Sequence, residues 1–340
     1  MKLSKIKVAV IGYGYWGPNI VRNFSKNSDC IVNTIVDNDQ SKLVLAKNDY
    51  PNIITTHNIQ QVLDDPSIDC IAICTPVHTH YDLVKLALES KKHVLVEKPL
   101  TNSFKTSKTL VELARKVNRV LLVDNTYLYT PAVQKISQIL KSKSFGKIQY
   151  IDSTRINLGK FQSDINVLWD LATHDISICL YLMNETPKSV QAIGKSHTKN
   201  GLEDISYLIL HFNSNMIAHF NCSWISPVKI RNTLIGGSKK MIVFNDLETT
   251  EKVKIYDSSY IEKLIDSNED KFLADYRIGD VYIPKLDLTE GLSNLVKDFV
   301  SVIKNKKVPI SNNKISLMVV KILEAAEKSL ENDGKKISLK

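Results

Sequence analysis

Gly12, Gly14 and Gly17 stand in GYGYWGPN at the spacing G-x-G-x-x-G. The first glycine of such a loop permits a tight turn, the second lets a pyrophosphate approach the backbone, and the third allows close helix–strand packing. A helix start adds unpaired N–H groups and the positive end of its dipole, so the chemistry on offer is phosphate binding. The pattern alone is weak. It gains weight from its flanks, the apolar run IKVAVI over 6–11 and PNIVRNFSKN with Ile20, Val21 and Phe24 at helical spacing. Pro18 fits the first helical turn, where its missing N–H is not needed. Asp37 ends TIVD twenty residues after Gly17. A carboxylate there accepts hydrogen bonds from the adenosine ribose hydroxyls and repels a 2′-phosphate, so the expected cofactor is NAD in preference to NADP. Lys42 is the nearby cation that would favour NADP. Tyr15 and Trp16, the bulky residues of the loop, are carried as cofactor contacts, with packing as their competing role.

Two further strand ends are chemically dense. Thr75, Pro76 and His80 lie in TPVHTH, and Glu97 and Lys98 in EKP. In an open parallel sheet, ligands bind outside the carboxyl ends of the strands. Thr75, Pro76, His80 and Glu97 are therefore expected beside the nicotinamide half of the cofactor. Lys98 as an ordinary turn lysine is the competing reading.

The elements that must position these groups follow from the pattern. Apolar runs at 6–11, CIVNTIV, IITT, IDCIAIC, HVLV and VLLV alternate with amphipathic helical segments, and short links join them. That order predicts an α/β fold with a doubly wound parallel sheet of the Rossmann type. After about Asn125 the rhythm changes. SVQAIGKS, ISYLILHF, MIAHFNCSWI, KIRNTLIGG, KMIVFND and KVKIYD read as strands in succession, with Asn213-Ser214-Asn215 a hairpin turn. Two helical segments close the chain. The expectation is a domain at 1–124 and an α+β domain at 125–340 with a large, mostly antiparallel sheet.

Composition excludes several classes. The chain has 340 residues, 43% of them apolar, which supports two ordered cores. No apolar run reaches membrane-spanning length, and the N-terminus lacks a signal-peptide pattern, so a cytoplasmic protein without a membrane partner is expected. The five cysteines form no CxxC pair, no metal site is expected, and free core thiols suit a cytosolic setting. Net charge is +9, but the lysines are dispersed without aromatic interleaving. This argues against nucleic acid and for mild steering of a phosphorylated small molecule.

The glycine loop, the acid after the second strand, TP after the fourth and EKP after the fifth together resemble the Gfo/Idh/MocA family of NAD(P)-dependent sugar and cyclitol oxidoreductases. Asp170-Leu171-Ala172-Thr173-His174 matches the family's D-x-x-x-H. The resemblance runs over essentially the full length and implies a catalytic set of Lys98, Asp170 and His174. The residue types agree with that set. Asp170 and His174 are i and i+4 and share a helix face. His174 is suited to take a hydroxyl proton near neutral pH. Lys98 would stabilise the developing alkoxide. The competing reading is a capping aspartate and a satisfied helix histidine. Thr173 departs from the glycine found in many members, which puts local backbone freedom in question.

Arg155, Asn157, Lys160 and Asn166 precede the D-x-x-x-H helix and offer polar groups for a hydroxylated ring. Arg155, Asn157 and Asn166 join Lys98, Asp170 and His174 as expected substrate contacts. Asn125 and Tyr127, after the sixth strand, are expected to touch nicotinamide or sugar. The sequence is similar to the family branch that acts on nucleotide-linked hexoses, often at C3, in surface-polysaccharide biosynthesis. A free sugar or inositol dehydrogenase, and a non-catalytic NAD-sensing regulator, are the alternatives. A homodimer or homotetramer through the second domain's sheet is expected.

Overall fold

The computed structural model describes residues 5–159, 161–264 and 272–339, so Lys160 lies outside the described residues. The chain divides into two compact units, one of residues 1–130 and 289–324, the other of 131–288 and 325–340. The first break lies after Thr130, and the sequence expectation places it after Asp124. Residues 289–324 depart from that expectation, because they return to the first unit.

The first unit holds a parallel sheet of β1 (Ile6–Ile11), β2 (Cys30–Val36), β3 (Ile54–Thr56), β4 (Cys70–Ile73), β5 (His93–Glu97) and β6 (Leu121–Asp124). Its order is β3-β2-β1-β4-β5-β6, the Rossmann order, with the reversal between β1 and β4. Val8 to Val10, all of β4 and Val94 to Val96 are buried. Continuous apolar runs of this kind suit strands covered on both faces. Parallel neighbours need crossovers, and α1 (Gly17–Lys26), α2 (Gln40–Asp49), α3 (Gln60–Asp64), α4 (His80–Glu89) and α5 (Phe104–Lys116) supply them. Helix α1 buries Ile20, Val21 and Phe24, and Phe24 meets Phe299 edge-on.

The second unit begins with α6 (Pro131–Leu140) and contains β7 (Ile148–Leu158). A π-helical turn over Leu168–Ala172 runs directly into α7 (Thr173–Met183). Then come β8 (Ser189–Lys195), β9 (Ile205–His211), β10 (Ile217–Ser223), β11 (Ile225–Gly237), β12 (Met241–Asn245) and β13 (Val253–Tyr256). A separate hairpin pairs β14 (Ser259–Leu264) with β15 (Phe272–Arg277), and β16 (Val281–Tyr282) returns to the main sheet. Helix α8 (Gly291–Asn305) belongs to the first unit, α9 (Asn313–Leu330) is divided at Glu324, and β17 (Ile337–Ser338) ends the sheet.

The sheet order is β16-β13-β12-β11-β7-β10-β9-β8-β17. Among the described strands its pairings are antiparallel except β7 with β10. Alternation is clean: Ala218, Phe220 and Cys222 of β10 are buried while Ile217, His219 and Asn221 face the other way. The expected turn at 213–215 joins β9 to β10, closed by Phe212 N–H to Met216 O at 3.1 Å, with Asn215 at φ +61°.

Candidate active site

In the first unit the glycine loop leaves β1 at the switch point. Gly12 has φ +94°, and a Cβ there would lie 2.9 Å from the Cys74 carbonyl. A Cβ on Gly17 would lie 2.2 Å from Gly12 O, so helix and turn meet backbone to backbone. At Gly14 a Cβ would meet nothing within 4 Å. The loop is thus packed at both ends and open in the middle, which fits the approach of a pyrophosphate. Trp16 gives α1 no side-chain cap, leaving the helix start to an anion.

Asp37 is tied to the same loop. Its Oδ2 accepts the Tyr13 N–H at 2.6 Å and its Oδ1 the Asp39 N–H at 2.9 Å. A carboxylate has about four acceptor positions, so lone pairs remain for ribose hydroxyls. The aromatics divide by role. Tyr13 is buried, and its hydroxyl donates to Asp49 Oδ2 at 2.8 Å, with burial first and then Asp49 raising the phenol's pKa. Tyr15 is 94% exposed and stacks on Trp16 at 6.3 Å. Trp16 is half-buried and donates its indole N–H to Asp124 Oδ2 at 3.2 Å.

Thr75 and Pro76 leave β4 beside Gly12, and Thr75 Cγ2 would lie 3.0 Å from a Cβ on that glycine. His80 has another role than the expected cofactor contact. It is 1% exposed, with Nδ1 at 2.9 Å from Pro99 O and Nε2 at 2.8 Å from Thr75 O. Both ring nitrogens face backbone carbonyls, a neutral ring donating to one and the imidazolium to both, so His80 staples the TP turn to the EKP turn. Burial lowers its pKa while the two carbonyls oppose that shift. The Lys98–Pro99 peptide is cis, and Lys98 N–H donates to Glu97 Oε2 at 2.8 Å. Asn125 is buried, with its amide donating to Ser311 Oγ at 2.9 Å. Tyr127 is half-buried in a short 3₁₀ turn over Thr126–Tyr129.

In the second unit Asp170 lies in the π-turn and His174 in the first turn of α7. Turns of this kind recur at functional sites. Trp224, 1% exposed, donates its indole N–H to Asp170 Oδ2 at 3.1 Å. Thr173 answers the question its position raised. It adopts ordinary helical angles, φ −48° and ψ −43°, and its buried hydroxyl donates to Trp169 O at 2.5 Å. No glycine-only conformation is needed.

Two expected substrate contacts are instead structural. Arg155 is buried on β7 and pairs through Nε and Nη2 with both carboxylate oxygens of Asp175, at 2.8 Å each. Asn166 is buried, with Oδ1 accepting the N–H of Leu168 and of Trp169 and Nδ2 donating to Glu203 at 3.0 Å. It caps the segment that carries Asp170. Asn157 stays half-buried at the end of β7, and a Cβ on Gly159 would lie 2.8 Å from its Nδ2. Sequence reasoning missed Asp124 and Trp224. Asp124 ends a parallel strand, a position whose significance is readable; Trp224 has no comparable signal, because its partner comes through the fold.

Family models match both halves of the chain. Residues 6–125 match the oxidoreductase family with an NAD-binding Rossmann fold, and 133–243 match the GFO/IDH/MocA C-terminal domain. The chain belongs to the Gfo/Idh/MocA oxidoreductase family. Its cofactor is accordingly NAD, bound by the Rossmann domain. Among relatives, it is 22% identical to the myo-inositol 2-dehydrogenase of Thermotoga maritima over 343 residues, covering 96% of each chain. It is 31% identical to the UDP-N-acetylglucosamine 3-dehydrogenase of Acidithiobacillus ferrooxidans over 128 residues, 37% of this chain and 40% of the other. A solved structure of that enzyme matches in fold with a TM-score of 0.81 at 20% identity, covering 97% and 99% of the two chains.

Proposed function

We propose that this Gfo/Idh/MocA oxidoreductase interconverts a secondary alcohol and a ketone on a sugar ring, at C3 of a nucleotide-linked hexose. The observation that carries this reading is the intact Lys98 with the Asp170–His174 pair, whose aspartate is oriented by Trp224 at 3.1 Å. Bound NAD supplies the hydride acceptor or donor. In the oxidative direction His174 takes the hydroxyl proton and Lys98 stabilises the negative charge that develops on the oxygen. Asp170, held by an indole N–H, orients the histidine and accepts substrate hydroxyls.

The nucleotide-linked substrate is supported by the likeness to UDP-N-acetylglucosamine 3-dehydrogenase and by a net charge of +9 that favours a phosphorylated ligand. The full-length likeness to an inositol dehydrogenase supports a second reading, oxidation of a free cyclitol. A panel of UDP- and dTDP-hexoses, free sugars and inositols, scored by NADH formation, separates the two. Turnover confined to nucleotide sugars is expected; turnover confined to inositols would replace this reading with the second. NADH binding without turnover on any of them, unchanged in His174→Ala, would favour a regulator.

The protein is further proposed to work in the cytoplasm as a homodimer or homotetramer through the open face of the nine-stranded sheet. That face presents Ile193, Tyr207 and Ile217, all more than a third exposed.

A further inference from the structure

An acidic pair outside the proposed proton chemistry, one member buried and one half-buried, lies at the carboxyl edge of the parallel sheet. Glu97 and Asp124 end β5 and β6 and are direct register partners. Asp124 is 2% exposed and Glu97 half-buried, so the two carboxyl groups share one poorly hydrated edge. Burial, followed by the Asp124 charge, holds Glu97 well above the usual carboxylate range. Burial also raises Asp124, but donors from Thr126 and Trp16 draw it back. The side-chain donors of Thr126 and Trp16 face Asp124, which favours the negative charge there over Glu97.

That charge has defined recipients. Asp124 accepts the Thr126 hydroxyl on Oδ1 and the Trp16 indole N–H on Oδ2, the latter at 3.2 Å. Trp16 sits between Gly14, where the loop is open, and Gly17, where it is packed. In the order β1-β4-β5-β6, its bond to Asp124 reaches from the loop after β1 past the ends of β4 and β5. It thus spans the switch point where ligands of open α/β sheets bind. An ionised acceptor buried from water makes the indole bond stronger than a neutral pair would.

We propose that Asp124 is a positioning residue for the dinucleotide: it anchors Trp16 and so fixes the second half of the glycine loop. The inference rests on the NAD reading of the loop, and NADH affinity tests the two separately. Trp16→Phe keeps the ring and removes the N–H. Asp124→Ala removes the acceptor, and Asp124→Asn restores an uncharged one. NADH dissociation constants are measured for the wild type, for each variant and for Trp16→Phe with Asp124→Ala, with thermal unfolding as a check on folding. Trp16→Phe and Asp124→Ala are each expected to weaken NADH about tenfold, the scale of one hydrogen bond to a charged group. The double variant should be no weaker than either single one, and Asp124→Asn should recover part of the loss, as a neutral acceptor would. Multiplying losses in the double variant would overturn the proposal, because Asp124 would then act by another route. Should Asp124→Ala fail to fold, unchanged NADH affinity in Trp16→Phe would overturn it equally. A wild-type chain that binds no NADH overturns the NAD reading, and this proposal with it.

Discussion

Asp37 holds the Tyr13 N–H of the glycine loop, and its proposed second role is to bind the adenosine ribose. Asp37→Ala should therefore weaken NAD and reduce its preference over NADP together. Competition binding of the two cofactors checks this, and an unchanged NAD/NADP ratio would remove Asp37 from the ribose site. Lys98→Ala and His174→Ala should each lower kcat by about 10²–10⁴-fold, the range for a proton-transfer or charge-stabilising group, with NADH affinity kept. Loss of NADH binding in both would sink the assignment. Glu97 makes a prediction about stability. Its folded pKa is raised by burial and by Asp124, so its contribution is complete below its ordinary value of 4.5 and is lost as pH rises through the folded one. Glu97→Gln cannot ionise, so its Tm relative to wild type should climb with pH. A constant difference across the range would mean that Glu97 does not titrate in that environment. At this scale the sequence exposes residues by their position at a strand end, and Asp37 and Lys98 do follow β2 and β5 as that pattern requires. It hides those whose role depends on a partner. Arg155 and Asn166 look like ligand readers because their partners, Asp175, Glu203 and the N–H groups of the π-turn, are fixed only by folding.

Helix α7 shows how an element is set by a few buried contacts. It is buried nearly all round, and the Arg155–Asp175 pair ties its first turn to β7. Removing one partner of such a pair strands the other charge away from water. Asp175→Ala should cost about 3–5 kcal/mol in denaturant unfolding. Arg155→Met with Asp175→Leu should recover most of that, since buried ion pairs exchange well for apolar packing. A cost below about 1 kcal/mol for Asp175→Ala, the range of exposed pairs, would contradict a buried role. Periodicity made most elements legible: each parallel strand of the first unit appears as an apolar run, and the 213–215 turn is placed correctly. Periodicity does not carry pairing. The parallel contact of β7 with β10, the β14–β15 hairpin and the π-turn ahead of Thr173 depend on long-range register and on local backbone widening, which the side-chain pattern does not encode.

Two units built on different sheets divide the whole molecule, and the return of residues 289–324 to the first unit is fixed by contacts such as Arg22–Glu290, 2.6 Å apart, and Tyr129 to Asp298 at 2.9 Å. The sequence marks these residues as helical but gives no sign of which core they join, because an amphipathic face fits either. The proposed assembly belongs to this scale. Tyr207 and Ile193 are register partners on the open face of the second sheet. Tyr207→Asp should shift sedimentation from dimer or tetramer toward monomer, while a wild-type monomer would dispose of the interface. The central claim, hydride transfer to NAD from C3 of a nucleotide-linked hexose, is tested most directly with a UDP-hexose deuterated at C3. Mass analysis of the NADH formed should show deuterium carried over, and with it a slowed turnover. NADH formed without label, or no NADH from any nucleotide-linked hexose, would contradict the claim.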